Sequence, residues 1–401
     1  MSKFKYKAMS SDGKRIEGTY EADSKQQVLD MISANGYSPL KIEELSVKNR
    51  SISFKIHKKV KLKDLSIFCR QFYTMLDAGV PMTNCLHILS TQLENEILKK
   101  AIMDIEDRVN TGATLSSAMK YHEDVFPELL VSLVEAGETS GNLDSIMLRM
   151  STHYEKQYKM NNKIRNAMIY PIVLSIVAVV VLIVIMTFVL PTFTSIFEQS
   201  GTALPWSTRF LIRMSSAFRN HFIMIAIAIA EIGIAIKYFT KTEQGRVFTS
   251  SLKLKLPILK KLNQKIIISR FTRTLSTLLS SGITLAQALP IVSSSLGNRI
   301  AQTAIEGVRE KVIVGKTLNS SIKEAEIFPA MLSSMVKIGE ESGSLDDILN
   351  KTADFYDEEV ETQLQATVAL MEPLLIVIMG FVIGFIIISI MLPMYDSYTQ
   401  I

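Results

Sequence analysis

The sequence predicts a mainly all-α membrane protein: two repeated cytoplasmic helical bundles of about six helices each, three transmembrane helices and a small N-terminal α/β module. Three observations carry this prediction. Two stretches of 19 residues, Ile172 to Leu190 and Leu374 to Leu392, hold no charge. The segments that precede them match each other at a nearly constant offset. Within those segments apolar residues recur every three or four positions, the period of a helix with one buried face.

The spans come first. At about 1.5 Å per residue, either charge-free stretch covers most of a hydrocarbon core about 30 Å thick. A third candidate, Phe222 to Phe239, is interrupted by Glu231. A carboxylate near mid-bilayer costs roughly 2.5–3.5 kcal/mol, so Glu231 is expected to face protein or water. Ala226, Ala230 and Gly233 share one face of this helix, which suits close packing against another span. The composition agrees: mean hydropathy is positive although 21% of residues are charged and the net charge is +5. The opening MSKFKYKAMSSDGKR is basic but lacks the apolar core of a secretory signal, so the N-terminus is expected in the cytoplasm. Cys69 and Cys85 have no partners at ligand spacing and are expected to be reduced core residues.

Flanking charge sets the topology. Lys156, Lys159, Lys163 and Arg165 precede the first span, and a basic run from Lys237 to Arg270 follows the second, opposed only by Glu243. The positive-inside rule places both in the cytoplasm. The expected order is a module over 1–45, a basic linker over 46–63 and the first cytoplasmic repeat over 64–165. A span over 168–190, an external loop over 191–221 and a second span over 222–239 follow. A basic cytoplasmic linker over 240–265, the second repeat over 266–370, a third span over 372–392 and an external tail over 393–401 complete the chain.

The internal repeat is the most informative feature. Shifted by 203, Phe68, Arg70, Gly79, Leu86, Gly112 and Leu115 fall on Phe271, Arg273, Gly282, Leu289, Gly315 and Leu318. One residue is then lost, and at 202 the pair Phe126-Pro127 matches Phe328-Pro329. GETSGNLD, Gly137 to Asp144, matches GEESGSLD, Gly339 to Asp346. Tyr154 matches Tyr356, and Pro171 and Pro191 match Pro373 and Pro393 at the ends of the two long spans. Each copy thus feeds into one span, and the middle span keeps both copies on one side of the membrane. Leu65, Phe68, Phe72, Met75 and Leu76 form an apolar face, with Asp64 as expected N-cap, Gly79 as left-handed stop and Pro81 in the next first turn. The N-terminal module reads as a hairpin turning at Asp12-Gly13, then a helix capped by Ser24 and ending at Asn35-Gly36.

These residues carry a resemblance. F-x-R, an AGV-P segment, G-E-x-S-G-x-L-D and a proline on entering and leaving a span, all arranged twice around a middle span, resemble the GspF/PilC family over essentially the whole chain. The resemblance implies an inner-membrane platform of type II secretion or type IV pilus assembly systems. It further implies cytoplasmic domains that engage a hexameric assembly ATPase, spans that receive pilin or pseudopilin subunits, other inner-membrane assembly partners and a homo-oligomer embedded in membrane lipid. No nucleic-acid partner is implied.

Catalytic motifs are wanting. Gly315-Lys316-Thr317 resembles the end of a phosphate loop, but Glu310 stands where the loop needs glycine and no strand precedes it. The five histidines lack metal-ligand spacing and no nucleophile motif occurs, so no catalytic, metal or cofactor site is expected. In the duplicated motif, Gly137 is expected to end a helix, Asn142 or Ser344 to cap the next, and Asp144 or Asp346 to lie in its first turn. Gly141 and Gly343 occupy matching places. Glu138 and Glu340 either bind nearby backbone N–H groups or present charge to a partner. Arg70 and Arg273 are expected to pair with a carboxylate, Glu138 and Glu340 being the candidates. The terminal helices of the copies differ, basic at Lys156 to Arg165 and acidic at Asp354 to Glu361. They are either solvated faces or surfaces that dock the copies, or neighbouring protomers, in a fixed order. A small transporter or channel is the competing function, disfavoured because the duplication runs mainly through soluble domains.

Overall fold

The computed structural model describes residues 2–9, 15–45, 59–193 and 205–399. The Asp12-Gly13 turn and most of the basic linker lie outside the described residues, as do 194–204 and 400–401.

The N-terminal unit, residues 1–57, holds β1 (Ser2–Met9), β2 (Arg15–Ala22), α1 (Lys25–Ala34) and β3 (Ser38–Leu45). The sheet is antiparallel in the order β2-β1-β3. Alternate β1 residues Phe4 and Ala8 bury against Val28 and Ile32 of α1. Ser24 accepts the Gln27 N–H and caps α1. The hairpin-plus-helix expectation omits β3. Pro39 breaks the strand pattern there, yet β3 is an edge strand with a register shift beside it at Lys7/Ala8, where a missing N–H is tolerated.

The second unit begins at Lys58. Its first copy has six helices: α2 (Leu62–Asp77), α3 (Met82–Gln92), α4 (Glu96–Asn110), α5 (Leu115–Lys120), α6 (Glu128–Ser140) and α7 (Leu143–Ala167). α8 (Ile169–Val184) and a π-helical turn (Ile185–Val189) continue α7 into the first apolar segment. Next come α9 (Trp206–Phe239) and α10 (Glu243–Lys255). The second copy is α11 (Pro257–Leu279), α12 (Leu285–Ser295), α13 (Arg299–Ile313), α14 (Leu318–Glu324), α15 (Ala330–Ser342) and α16 (Leu345–Thr399). Gly79 and Gly282 have φ of +78° and +83° at equivalent turns, a conformation glycine adopts without penalty. Asp64 sits three residues inside α2 rather than at its N-cap, accepting the Lys61 N–H, and Pro81 is the N-cap of α3. One contiguous core joins both copies, with Phe68, Phe72 and Phe126 in the first and Phe271 in the second fully buried.

Three further readings are corrected. The segment 240–265, expected as a linker, holds α10 and the first residues of α11. The segment expected as an external loop contains a helix, Trp206–His221, that bends by 84° at His221 into Ile223–Phe239. Its cations Arg209, Arg213 and Arg219 hid its short buried face, Ser207, Thr208, Leu211 and Ser215. α16 runs through Pro393 without stopping. Leu143–Phe193 and Leu345–Pro393 are long and apolar enough to cross a membrane, and the bent pair makes a third if taken as one span.

The prolines at the far ends of the long spans have a specific consequence. Pro393 cannot donate to the carbonyl four residues earlier, that of Ser389. Thr208 Oγ1 donates to it instead at 2.5 Å. In the π-helical turn Leu190 N–H bonds to Ile185, and in that register Pro191 would leave the Met186 carbonyl without a donor. Ser215 Oγ supplies one at 2.5 Å. The helix Trp206–His221 is thus held across both spans by two hydroxyls, around a cluster of Met186, Leu190, Leu211, Ile386 and Ile390. Thr208→Val should cost about 1 kcal/mol in detergent-solubilised protein. In a Pro393→Ala background the cost should shrink, because α16 can then satisfy Ser389 itself. An undiminished cost would assign Thr208 another role.

Candidate functional site

The duplicated G-E-x-S-G-x-L-D motif and the seam where the copies meet form the site. In both copies Glu138 and Glu340 reach back to a neighbouring helix start. Glu138 accepts the N–H groups of Leu115 (2.5 Å) and Ser116 (2.9 Å) at the start of α5, and Glu340 those of Leu318 (2.6 Å) and Asn319 (3.1 Å) at the start of α14. These are donors a helix N-terminus leaves unpaired, and a carboxylate there also suits the helix dipole. The motif glutamate therefore ties two helices of one copy together.

The glycines divide their work differently from the sequence expectation. Gly141 and Gly343, with φ of +76° and +69°, are the left-handed caps. Gly137 and Gly339 are helical, and what they provide is space. A Cβ on Gly137 would lie 3.0 Å from Ile146 Cγ1, and one on Gly339 2.9 Å from the Leu345 Cα. Asn142 holds the N-cap position of α7 without a side-chain hydrogen bond, while Asp144 and Asp346 lie in first turns. Thr317 caps α14 and Lys316 pairs with Glu324, which accounts for the phosphate-loop-like residues.

Arg70 and Arg273 do not meet Glu138 and Glu340, because those carboxylates are committed to backbone N–H groups. Arg70 is exposed and reaches Glu155 at 3.4 Å. Arg273 is only 6% exposed and binds Asp354 (2.6 Å), Asp357 (2.7 Å) and Asn350 (2.9 Å) of α16. Burial alone would raise the Asp354 carboxyl, but hydrogen bonds from Lys156 and Arg273 and their charges outweigh it and hold it below the ordinary value.

Lys156 belongs to the first copy and Asp354 to the second, and they pair at 2.7 Å. Lys163 and Glu361 pair likewise at 2.5 Å. The charge difference between the terminal helices is thus used along the seam of α7 and α16. Lys159 instead pairs with Glu155 and Glu359 with Lys265, so the partners are other than charge alone indicates. A cavity of about 400 Å³ opens beside the seam, lined by Arg149, His153, Lys156, Arg273, Asp346 and Asn350 among others. Among the described residues no cluster of three or more His, Cys, Asp or Glu is placed to hold a metal.

His153, 2% exposed, faces Thr277 of α11 across the seam. Burial, reinforced by the charge of Arg273, lowers its pKa from 6.5 to about 3. Below pH 6.5 the unfolded chain takes up a proton that the folded chain refuses. Stability present at neutral pH should therefore fall as pH drops from 6.5 toward 3, at about 1.4 kcal/mol per unit at most. His153→Gln should flatten this slope in thermal melts between pH 4.5 and 6.5; an unchanged slope would place the proton elsewhere.

Glu231 and Gly233 lie in the Ile223–Phe239 part of α9. Both are exposed within this chain, and nothing lies within 4 Å of a Cβ built on Gly233. The bend at His221 turns Ile223–Phe239 by 84° from the helix that packs on the other two spans, and among the described residues nothing packs on Gly233. Pro171 is buried where α7 passes into α8, and the break at Met168 fits a proline that crowds the carbonyl of Ala167. Pro373 lies inside α16 without interrupting it.

Comparison with known proteins gives the same plan. The family model for Type II secretion system (T2SS), protein F matches residues 68–191 and again 271–393. That for the N-terminal domain of Type II secretion system protein F matches residues 1–43. The type IV pilus assembly protein PilC of Myxococcus xanthus is 35% identical, over 98% of this chain and 95% of its own. PilC of Thermus thermophilus is 35% identical over 98% of both chains. The type II secretion system protein F of Vibrio cholerae is 29% identical over 99% of this chain and 98% of its own. With both copies matched by one family model and relatives aligned end to end, the chain belongs to the type II secretion system protein F family, which includes PilC.

Proposed function

We propose that the chain is a non-enzymatic platform in the inner membrane of a type IV pilus or type II secretion machine, coupling a cytoplasmic assembly ATPase to pilin-like subunits in the membrane. One observation carries this reading: each bundle ends in a helix that continues into the membrane. Leu143–Phe193 holds 51 residues and α16 holds 55. At 1.5 Å per residue each rod is roughly 75–85 Å long. A displacement imposed on a bundle is passed along such a rod instead of being absorbed by a flexible linker. The seam pairs Lys156–Asp354 and Lys163–Glu361 link the two rods, so they move together.

In this reading both bundles face the cytoplasm and Pro191–His221 faces out. An impermeant thiol reagent on intact cells should modify Ser200→Cys but not Asn110→Cys or Val314→Cys. The native Cys69 and Cys85 are buried, and burial raises both thiols, Cys69 most, so they add little background. Labelling at all three positions would sink the topology. Purified chain in nanodiscs should hydrolyse no ATP alone yet change the turnover of a co-purifying ATPase. Hydrolysis by the chain itself that survives Lys316→Ala would refute the platform reading.

A further inference from the structure

Three residues separate Phe239, the last residue of α9, from the start of α10 at Glu243. Its turn is compact: Thr242 donates to the Phe239 carbonyl and accepts the Gly245 N–H. One side of α10 belongs to the second bundle. Ser250 is buried and accepts the Arg299 N–H at 3.0 Å, Glu243 pairs with Arg299 at 3.1 Å, and Leu254 packs on the core. At about 100° per residue the opposite side carries Phe248, Leu252 and Leu256. They are 59%, 46% and 41% exposed. The Phe248 ring packs against that of Phe239 at 6.3 Å, so this apolar face begins where the apolar surface of α9 ends. Lys253 and Lys255 flank it, and Lys241, Arg246, Lys260 and Lys261 stand nearby in the chain, all exposed and none in an ion pair among the described residues.

An apolar stripe continuous with a span and flanked by unpaired cations, in a basic stretch of chain, matches a membrane surface bearing negative charge. We propose that α10 lies on the inner leaflet, with Phe248, Leu252 and Leu256 among acyl chains and the surrounding cations on the phosphates of anionic phospholipids. The leaflet assignment rests on the topology proposed above. Because the other side of α10 is bonded to α13, this contact sets the tilt of the second bundle against the membrane plane. The bound lipid is part of the platform's geometry, and a membrane short of anionic lipid leaves that bundle free to rock.

The test uses the full chain. Its one tryptophan is removed by Trp206→Phe and Phe248→Trp is introduced. The protein is placed in phosphatidylcholine nanodiscs holding a minority of phosphatidylglycerol, with bromine on the acyl chains of one lipid or the other. Tryptophan fluorescence should be quenched, and at equal bromine content the phosphatidylglycerol should quench at least about twofold more, since one cation near an anionic surface is worth about fivefold in partition. Lys253→Glu with Lys255→Glu should erase that difference. Equal quenching by both lipids would overturn the anionic assignment. No quenching, while Ile234→Trp in the span is quenched, would overturn the lipid assignment and make a protein the occupant. Quenching is blind to which leaflet is touched, so a failed topology is read from thiol labelling and a failed lipid contact from fluorescence.

Discussion

Arg273→Ala should lower the stability of the solubilised protein by about 3 kcal/mol, whereas Arg70→Ala, at the matching position of the first copy, should cost under about 0.5 kcal/mol. The two arginines hold the same place in the repeat and differ only in surroundings. Arg273 is 6% exposed and joins Asp354, Asp357 and Asn350, with Asp354 also held by Lys156 of the first copy. Its removal leaves Asp357, 26% exposed, without its charge partner, and strips one of two cations from Asp354. Asp354 is half exposed, which places the expected loss at the lower end of the range for broken buried pairs. Arg70 and Glu155 are both about two-fifths exposed, and water replaces that bond at little cost. Arg273→Met, which restores bulk but not charge, should recover part of the loss. Thermal melts in detergent read the comparison, and equal losses at the two positions would show that the seam contributes nothing beyond the fold of each copy.

Gly245→Ala should cost about 3 kcal/mol, the upper end of what overpacking does, and detach α10 from the end of α9. A Cβ there would lie 1.8 Å from the Phe239 carbonyl oxygen and 2.6 Å from its carbon. Both are backbone atoms and cannot swing aside as a side chain can. The strain is relieved only by opening the Thr240–Thr242 turn, which breaks the bonds Thr242 makes to Phe239 and Gly245. Gly307→Ala is the control: it lies in α13 with nothing within 4 Å of its Cβ, and alanine there should be neutral or stabilising by up to about 1 kcal/mol. Limited proteolysis between Phe239 and Glu243 should accelerate in the Gly245 variant alone. Unchanged melting and cleavage would mean the turn is looser than its contacts imply.

What the sequence by itself determined is the plan: two like bundles, each running into an apolar helix, with a small β-containing module ahead of them. Apolar periodicity, uninterrupted apolar length and glycine or proline held in register are local properties, and local properties survive translation into structure. The left-handed turns at Gly79 and Gly282 were legible for the same reason. What only the tertiary structure decided are the partners. Opposite charge within one copy points Arg70 to Glu138, but helix starts at Leu115 and Leu318 hold unpaired N–H groups that claim the carboxylates first. Pro191 and Pro393 read as span ends, and folding showed them to be the source of carbonyls that Ser215 and Thr208 fill. Arg70 and Arg273 were indistinguishable in sequence, and became different because the seam buries one and leaves the other in water. A side chain's type is written along the chain, but its desolvation and its competitors for a bond are set by segments from about twenty to nearly two hundred residues away.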